Sequence, residues 1–247
     1  MARAGRGAEG APGVIVLAIE TSTPQTSVAI GSERGTVASV LLSSGRSRHE
    51  LVVPAIQQVL EWSETDVGQV GGVAVGIGPG LFTGLRVGIQ AAKSFAQVRR
   101  IPIVGIPSLD VLASAVRHTN RTIYSVIDAR RKEVFYCGYR PVPDGVARAS
   151  EFRVAPPDHL VAELQAEREE VLLVGDGALR YRRELEEAGA HVEFAPPSLG
   201  YPHADVLVEL SIPTFVREEF GRVTDVVPLY LRKSDAEIAW DNRARTG

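Results

Sequence analysis

Glu20-Thr21-Ser22-Thr23 sets a carboxylate and three hydroxyls directly after the apolar run Val14 to Ile19. An acid at the end of a strand, followed by a tight turn, lets backbone N–H groups face a phosphate while the carboxylate holds a hydrated Mg2+. The same turn forms without any ligand when its hydroxyls satisfy their own backbone. A second acid, Asp128, closes the apolar TIYSVID in the same way. Between the two acids, Gly76 to Gly84 reads GIGPGLFTG, four glycines and a proline in nine residues. No Lys-Ser/Thr follows these glycines, so this is no Walker A loop. It opens a helical stretch whose first N–H groups are unpaired and whose dipole is positive at that end. It therefore either holds an anion or lets two segments of chain approach closely. Arg86 sits in the first turn, where a cation is disfavoured by ~0.3–1 kcal/mol unless something negative lies near. Its counterpart is a ligand phosphate, a partner carboxylate or plain solvent.

Other chemistry is poorly supplied. His49, His118, His159, His191 and His203 form no i, i+4 pair and no HExxH, and the single cysteine, Cys137, completes no zinc cluster. These histidines read as surface or capping residues. Cys137 reads as a small buried hydrophobe in a strand, and a lone cysteine implies no intrachain disulfide and no oxidising compartment. No G-x-S-x-G elbow points to an α/β-hydrolase.

The elements that position the two acids follow from the pattern. Val14–Ile19, Thr26–Ile30 and Thr36–Leu42 read as three strands of a meander. Arg48 to Trp62 carries a broad apolar stripe of helical period, with Pro54 kinking it or marking its true start. A strand over Gly72–Ile77 leads into the glycine loop, and Thr83 to Val98 continues as helix. The second half repeats the plan: a strand closed by Asp128, a strand over Glu133–Tyr139, and then EEVLLVGDGALRYRREL as strand, turn and helix. A duplicated α/β unit follows, with mixed sheets covered by helices. A helical stretch over His203–Phe220, interrupted by Pro213, is expected to pack back on the first half, and Val227–Leu231 to add a last short strand. The expected division is a loose tail over 1–13, a first lobe over 14–106 joined by 203–232, a second lobe over 107–202 and a loose tail over 233–247.

The bulk numbers set limits. A chain of 247 residues, 45% hydrophobic, buries a substantial core, and a formal net charge of −3 gives no global field toward nucleic acid or an anionic membrane. Arg99-Arg100, Arg130-Arg131-Lys132 and Arg180/Arg182/Arg183 are short basic clusters without interleaved aromatics, as solvated faces are. No apolar run reaches the ~18 residues a spanning helix needs, and a cytoplasmic location is expected.

The helix after the glycine loop has Gly84, Gly88, Ala92 and Ala96 four apart, a smooth groove where another backbone can come close. Glycine inside a helix costs about 0.5–1 kcal/mol against alanine, so a compensating close contact is implied, either with its own sheet or with another chain. The neighbouring helix over 48–62 is also apolar on more than one face. Two adjacent helices with surplus apolar surface make half of a four-helix interface.

LAIETST, GIGPGLFTG with LRVG after it, VIDARRKEVFY, GDGA and PLYLR together resemble the bacterial TsaB family, also called YeaZ, over Val14 to about Arg232. The resemblance implies a duplicated actin-like (ASKHA, ribonuclease H-like) two-lobe α/β fold. It implies a non-catalytic partner and activator of the paralogue TsaD, with the ATPase TsaE as third component, in making threonylcarbamoyladenosine on tRNA. TsaD carries two metal-binding histidines i, i+4 after the corresponding strand; here Ser108 and Leu112 align with them, and leucine has no donor atom. No metal is expected. The family's usual aspartate on the opening strand is Glu20 here, so Glu20, Thr21 and Ser22 are expected to form at most a vestigial phosphate turn. The resemblance makes the two helices of the first lobe half of a bundle with TsaD or, alone, a second copy. The expected interface is Leu51, Val52, Ala55, Ile56 and Val59 on one helix, with Leu81, Thr83, Gly84, Leu85, Arg86, Gly88, Ile89, Ala92 and Phe95 on or beside the other. No cofactor of its own and no membrane contact are expected, tRNA is reached only through the complex, and ATP or ADP at the junction is left open. The alternative is an actin-like ATPase or kinase, with Glu20, Thr21 and Asp128 around nucleotide phosphates.

Overall fold

A computed structural model of the protein describes residues 13–43 and 48–232; the readings placed on the two terminal tails, on 44–47 and on the side chain of His49 fall outside the described residues. The first sheet has five strands: β1 (Ile15–Glu20), β2 (Thr26–Ser32), β3 (Gly35–Leu42), β4 (Val70–Gly76) and β5 (Ile103–Ile106). Their order is β3-β2-β1-β4-β5, with the first three antiparallel and β1, β4 and β5 parallel. β1 and β4 are apolar on both faces because both faces are covered, as central strands of a mixed sheet must be.

The second sheet is built from β6 (Thr122–Arg130), β7 (Glu133–Val142), β8 (Gly145–Arg148), β9 (Arg153–Ala155), β10 (Val171–Val174) and β11 (Val192–Phe194). Read as β8-β7-β6-β10-β11, it follows the order of the first sheet, with β6 antiparallel to β7 and parallel to β10, and β9 added beside β7. The duplicated plan expected from the two acids is therefore observed strand by strand.

Helices complete the layers. α1 (Val52–Trp62) and α2 (Phe82–Arg99) cover one face of the first sheet over a core of Leu17, Ile19, Val28, Ile30, Val73 and Val75. Pro54 stands in the first turn of α1, where its missing N–H costs nothing, so it marks the start and does not kink the helix. On the opposite face, Val16, Ala18, Ala29 and Ala74 pack against α7 (Ala204–Val216) and Val111 of α3 (Ser108–Ala115). The first free N–H of α7, at Ala204, is capped from the first lobe by Ser27 Oγ at 2.9 Å. The remaining face of α3 packs on Ile123, Ile127 and Tyr139 of the second sheet, whose outer face carries α4 (Pro157–Ala166), α5 (Asp176–Arg180) and α6 (Arg182–Glu186). Cys137 is fully buried in β7, and burial pushes its thiol up from the usual value.

Val227–Leu231 does not form a strand. Pro228 has no N–H to give a ladder, and among the described residues the one backbone bond that ties this stretch down is Leu229 N–H to the Ile77 carbonyl at 2.8 Å.

Candidate partner interface and the closed phosphate turn

The turn after β1 is filled by the protein itself. Glu20 is fully buried; its carboxylate accepts from Ser22 N–H at 2.6 Å and from the Ser108 hydroxyl at 3.0 Å, and burial pushes its pKa up against the pull of these bonds. Ser108 in turn accepts from Gly78 N–H at 3.2 Å, and its own N–H donates to the Gly78 carbonyl at 2.7 Å. Thr21 donates to the Gly84 carbonyl at 2.8 Å, and Leu81 N–H to the Ser22 carbonyl at 2.6 Å. The glycine loop thus lies directly on the turn. A Cβ at Gly76 would collide with the Glu20 carboxylate, one at Gly80 with the Ser22 carbonyl, and one at Gly88 with the Thr21 hydroxyl. These glycines are required for close approach.

In the second lobe, Asp128 is equally engaged. It accepts from Arg130 N–H at 2.9 Å and from the Arg130 guanidinium at 2.8 Å, with Arg180 at 3.5 Å. Its own N–H donates to Asp176 at 3.1 Å. Among the described residues no group of three or more His, Cys, Asp or Glu side chains is placed to hold a metal ion.

Asp176 is a mostly buried acid, and burial pushes its carboxyl from 3.8 up to about 6. A folded-state pKa above the unfolded one stabilises the fold at low pH, fully below about pH 4, and that contribution is lost as pH rises through about 6. Asp176→Asn keeps an acceptor for Asp128 N–H and carries no charge. Its stability advantage over the parent, read from urea melts, is expected to grow from near zero at pH 4 to roughly 3 kcal/mol at pH 7.

The stripe of small residues on α2 faces inward, which corrects the expected interface. Gly84, Gly88, Ala92 and Ala96 are buried against the protein's own sheet, and so are Leu85 and Ile89. Val52, Ala55 and Val59 of α1 are likewise 3% exposed or less, so they are core and unavailable to another chain. Ile56, at 8%, shows only an edge. Small side chains let the α2 backbone settle onto β1 and β4, which turns the opposite side of the helix outward. Leu51, Leu81, Thr83, Arg86 and Phe95 keep surface accessible.

What the structure leaves open is a groove between α1 and α2 of about 1170 Å³, mostly apolar. Val53, Gln57 and Leu60 line it from α1, and Val87, Ala91, Phe95 and Val98 from α2. Val53 is 58% and Val98 83% exposed, and Trp62 stands 63% exposed at the end of α1. Exposed apolar surface gathered in one concavity marks an interaction site. Of the residues that line this groove, Ile56, Arg86, Ile89 and Phe95 stand in the interface expected from the sequence, whereas Val53, Gln57, Leu60, Val87, Ala91 and Val98 do not; the signal for those on α2 is the spacing 87, 91, 94/95 and 98. Among the described residues Arg86 meets no carboxylate: its guanidinium lies 3.7 Å from the Phe82 ring centroid and donates to the Tyr230 hydroxyl at 3.2 Å, with Phe82 and Tyr230 stacked at 5.2 Å. Arg86 and Tyr230 of this cluster line the groove.

Two mixed sheets of like order, joined through α3 and α7 with helices outside, define an actin-like two-lobe protein. The family described as TsaD, tRNA N6-adenosine threonylcarbamoyltransferase, matches residues 42–240. The Escherichia coli tRNA threonylcarbamoyladenosine biosynthesis protein TsaB is 28% identical over 228 residues, covering 91% of this chain and 96% of that protein. Its Bacillus subtilis namesake is 27% identical, covering 91% and 97%. A Pseudomonas aeruginosa crystal structure, described as similar to peptidase YeaZ, superposes with a TM-score of 0.77 at 26% identity, covering 89% of this chain and all of that one. The chain belongs to this family and, within it, to the TsaB (YeaZ) proteins. Among the described residues no helix is long and apolar enough to cross a membrane.

Proposed function

We propose that this chain acts in tRNA threonylcarbamoyladenosine biosynthesis as a non-catalytic subunit that docks a TsaD-type paralogue along the α1/α2 groove and activates it, with a TsaE-type ATPase as third member. One observation carries the reading: the apolar groove between α1 and α2 is open, while the turn that would grip phosphate in the first lobe is packed with the chain's own glycine loop. The names of the relatives support the pathway.

In this reading the paralogue carries the chemistry, and tRNA is reached only through it. The protein supplies a rigid, largely apolar face. Burying about 800 Å² per partner is the scale of a specific interface, and two helices laid on two others can supply that area. The test is reconstitution with the TsaD-type and TsaE-type subunits of the same organism. Modified tRNA is expected only when this protein is present, and none from this protein alone. Modification that proceeds equally without it, or turnover by the isolated chain, would refute the reading.

A further inference from the structure

We propose that the turn between β6 and β7, with Arg130, Arg131 and Lys132 backed by Arg180 of α5, grips the phosphate backbone of the tRNA once the paralogue has brought it into the complex. The inference rests on the docking reading above and adds an electrostatic contact from this chain to it.

The backbone singles out this turn. Seven non-glycine residues stand at positive φ among the described residues, and Arg130, Arg131 and Lys132 are three in succession, at 61°, 54° and 61°. Arg131 and Lys132 are the two central residues of a hairpin turn closed by the paired Arg130 and Glu133, a conformation that Asn-Gly adopts at far lower cost. Both side chains are exposed, so burial does not repay the strain. Strained cations held at a surface point to a task outside the fold.

The surrounding charges select an anion. The register of β6 and β7 shifts between Asp128 and Arg130, and the Arg130 guanidinium turns back onto the buried Asp128 carboxylate at 2.8 Å, with Arg180 3.5 Å from the same group. One carboxylate thus fixes two guanidinium groups whose side chains stay exposed, and each keeps further N–H donors. Glu133 is taken by Arg232, and Asp176 accepts from Asp128 N–H. The corner keeps a positive balance in a chain whose formal net charge is −3. Evenly spaced phosphates are what such a cluster holds, and with no aromatic side chain from Arg130 to Glu133 it offers nothing for a base to stack on. The groove's lining residues all lie at 53–99 or at Pro228 and Tyr230, so docking along α1 and α2 does not use this turn.

Arg131→Asn with Lys132→Gly replaces the strained cations by the pair this turn favours, so the melting midpoint should hold or rise. In the complex with the TsaD-type subunit, tRNA affinity should fall about tenfold at about 50 mM salt, and the slope of log affinity against log salt should shrink by about 2, which closes the gap near 200 mM. Arg131→Glu with Lys132→Glu, which keeps the strain and reverses the charge, should weaken tRNA binding further. Parent-like affinity and salt slope in both variants, or a deficit undiminished at high salt, would overturn the proposal. A midpoint that falls in both variants would overturn it too, because the cations would then serve the fold. So would a loss of affinity for the TsaD-type subunit in the absence of tRNA, which would make an acidic protein surface the occupant. If neither parent nor variants associate with that subunit, it is the docking reading that fails, and this inference with it.

Discussion

Gly88→Val is expected to destabilise the fold by about 3 kcal/mol, the upper part of the range for overpacking a filled core. Any Cβ at position 88 enters the space of the Thr21 hydroxyl, which is buried and spends its proton on the Gly84 carbonyl. The helix would have to lift from the sheet, and lifting it breaks that bond and opens the contact of Leu85 and Ala92 with the sheet. Urea unfolding of the purified variant measures the loss. A valine at 88 that unfolds with the parent's midpoint would mean that the stripe does not face β1. Such a change should also weaken partner binding only as far as it unfolds the protein.

The second large effect separates surface from core. Val53→Asp with Val98→Asp alters two side chains that are 58% and 83% exposed and fills no buried space. Surface changes of this kind usually leave stability within ±0.5 kcal/mol, so the melting midpoint should stay near the parent's. Binding to a TsaD-type partner should fall at least a hundredfold, because each carboxylate would be desolvated in an apolar seam without a counter-charge. Calorimetric titration reads the affinity and a thermal melt reads the fold. A pair of variants behaving in this opposite way, Gly88→Val on stability and Val53→Asp/Val98→Asp on binding, assigns the two sides of α2 independently.

The architecture was legible because it rests on repeated local signals. Glu20 and Asp128 each close an apolar strand before a turn, and the sheets around them have the same order. The start of α1 was readable from Pro54 to within the choice between a kink and a beginning. The direction of the small-residue stripe was not readable, since Gly84-Gly88-Ala92-Ala96 fits a close approach to any backbone; only the position of Thr21 and of β1 decides that the approach is internal. Val227–Leu231 has strand composition, but Pro228 has no N–H to give a ladder, and the stretch lies as a strap bonded to Ile77. Ser108 shows the same limit. Its place in the sequence shows only a serine following a proline, while its work here, bridging Glu20 to Gly78, exists only once the strands are assembled. Arg86 was singled out for the cation's awkward place at a helix start; its counterparts are two aromatic rings, one of them 144 residues away.

The groove's role is tested most directly by hydroxyl-radical footprinting of the wild-type protein with and without the TsaD-type subunit of its own organism. Docking along α1 and α2 predicts strong protection of Val53, Phe95 and Val98, with oxidation of the exposed Val142 and Val216 unchanged. Protection that falls on the cleft-side turns around Thr23 and Arg130 while the groove residues oxidise at the free protein's rate would contradict it.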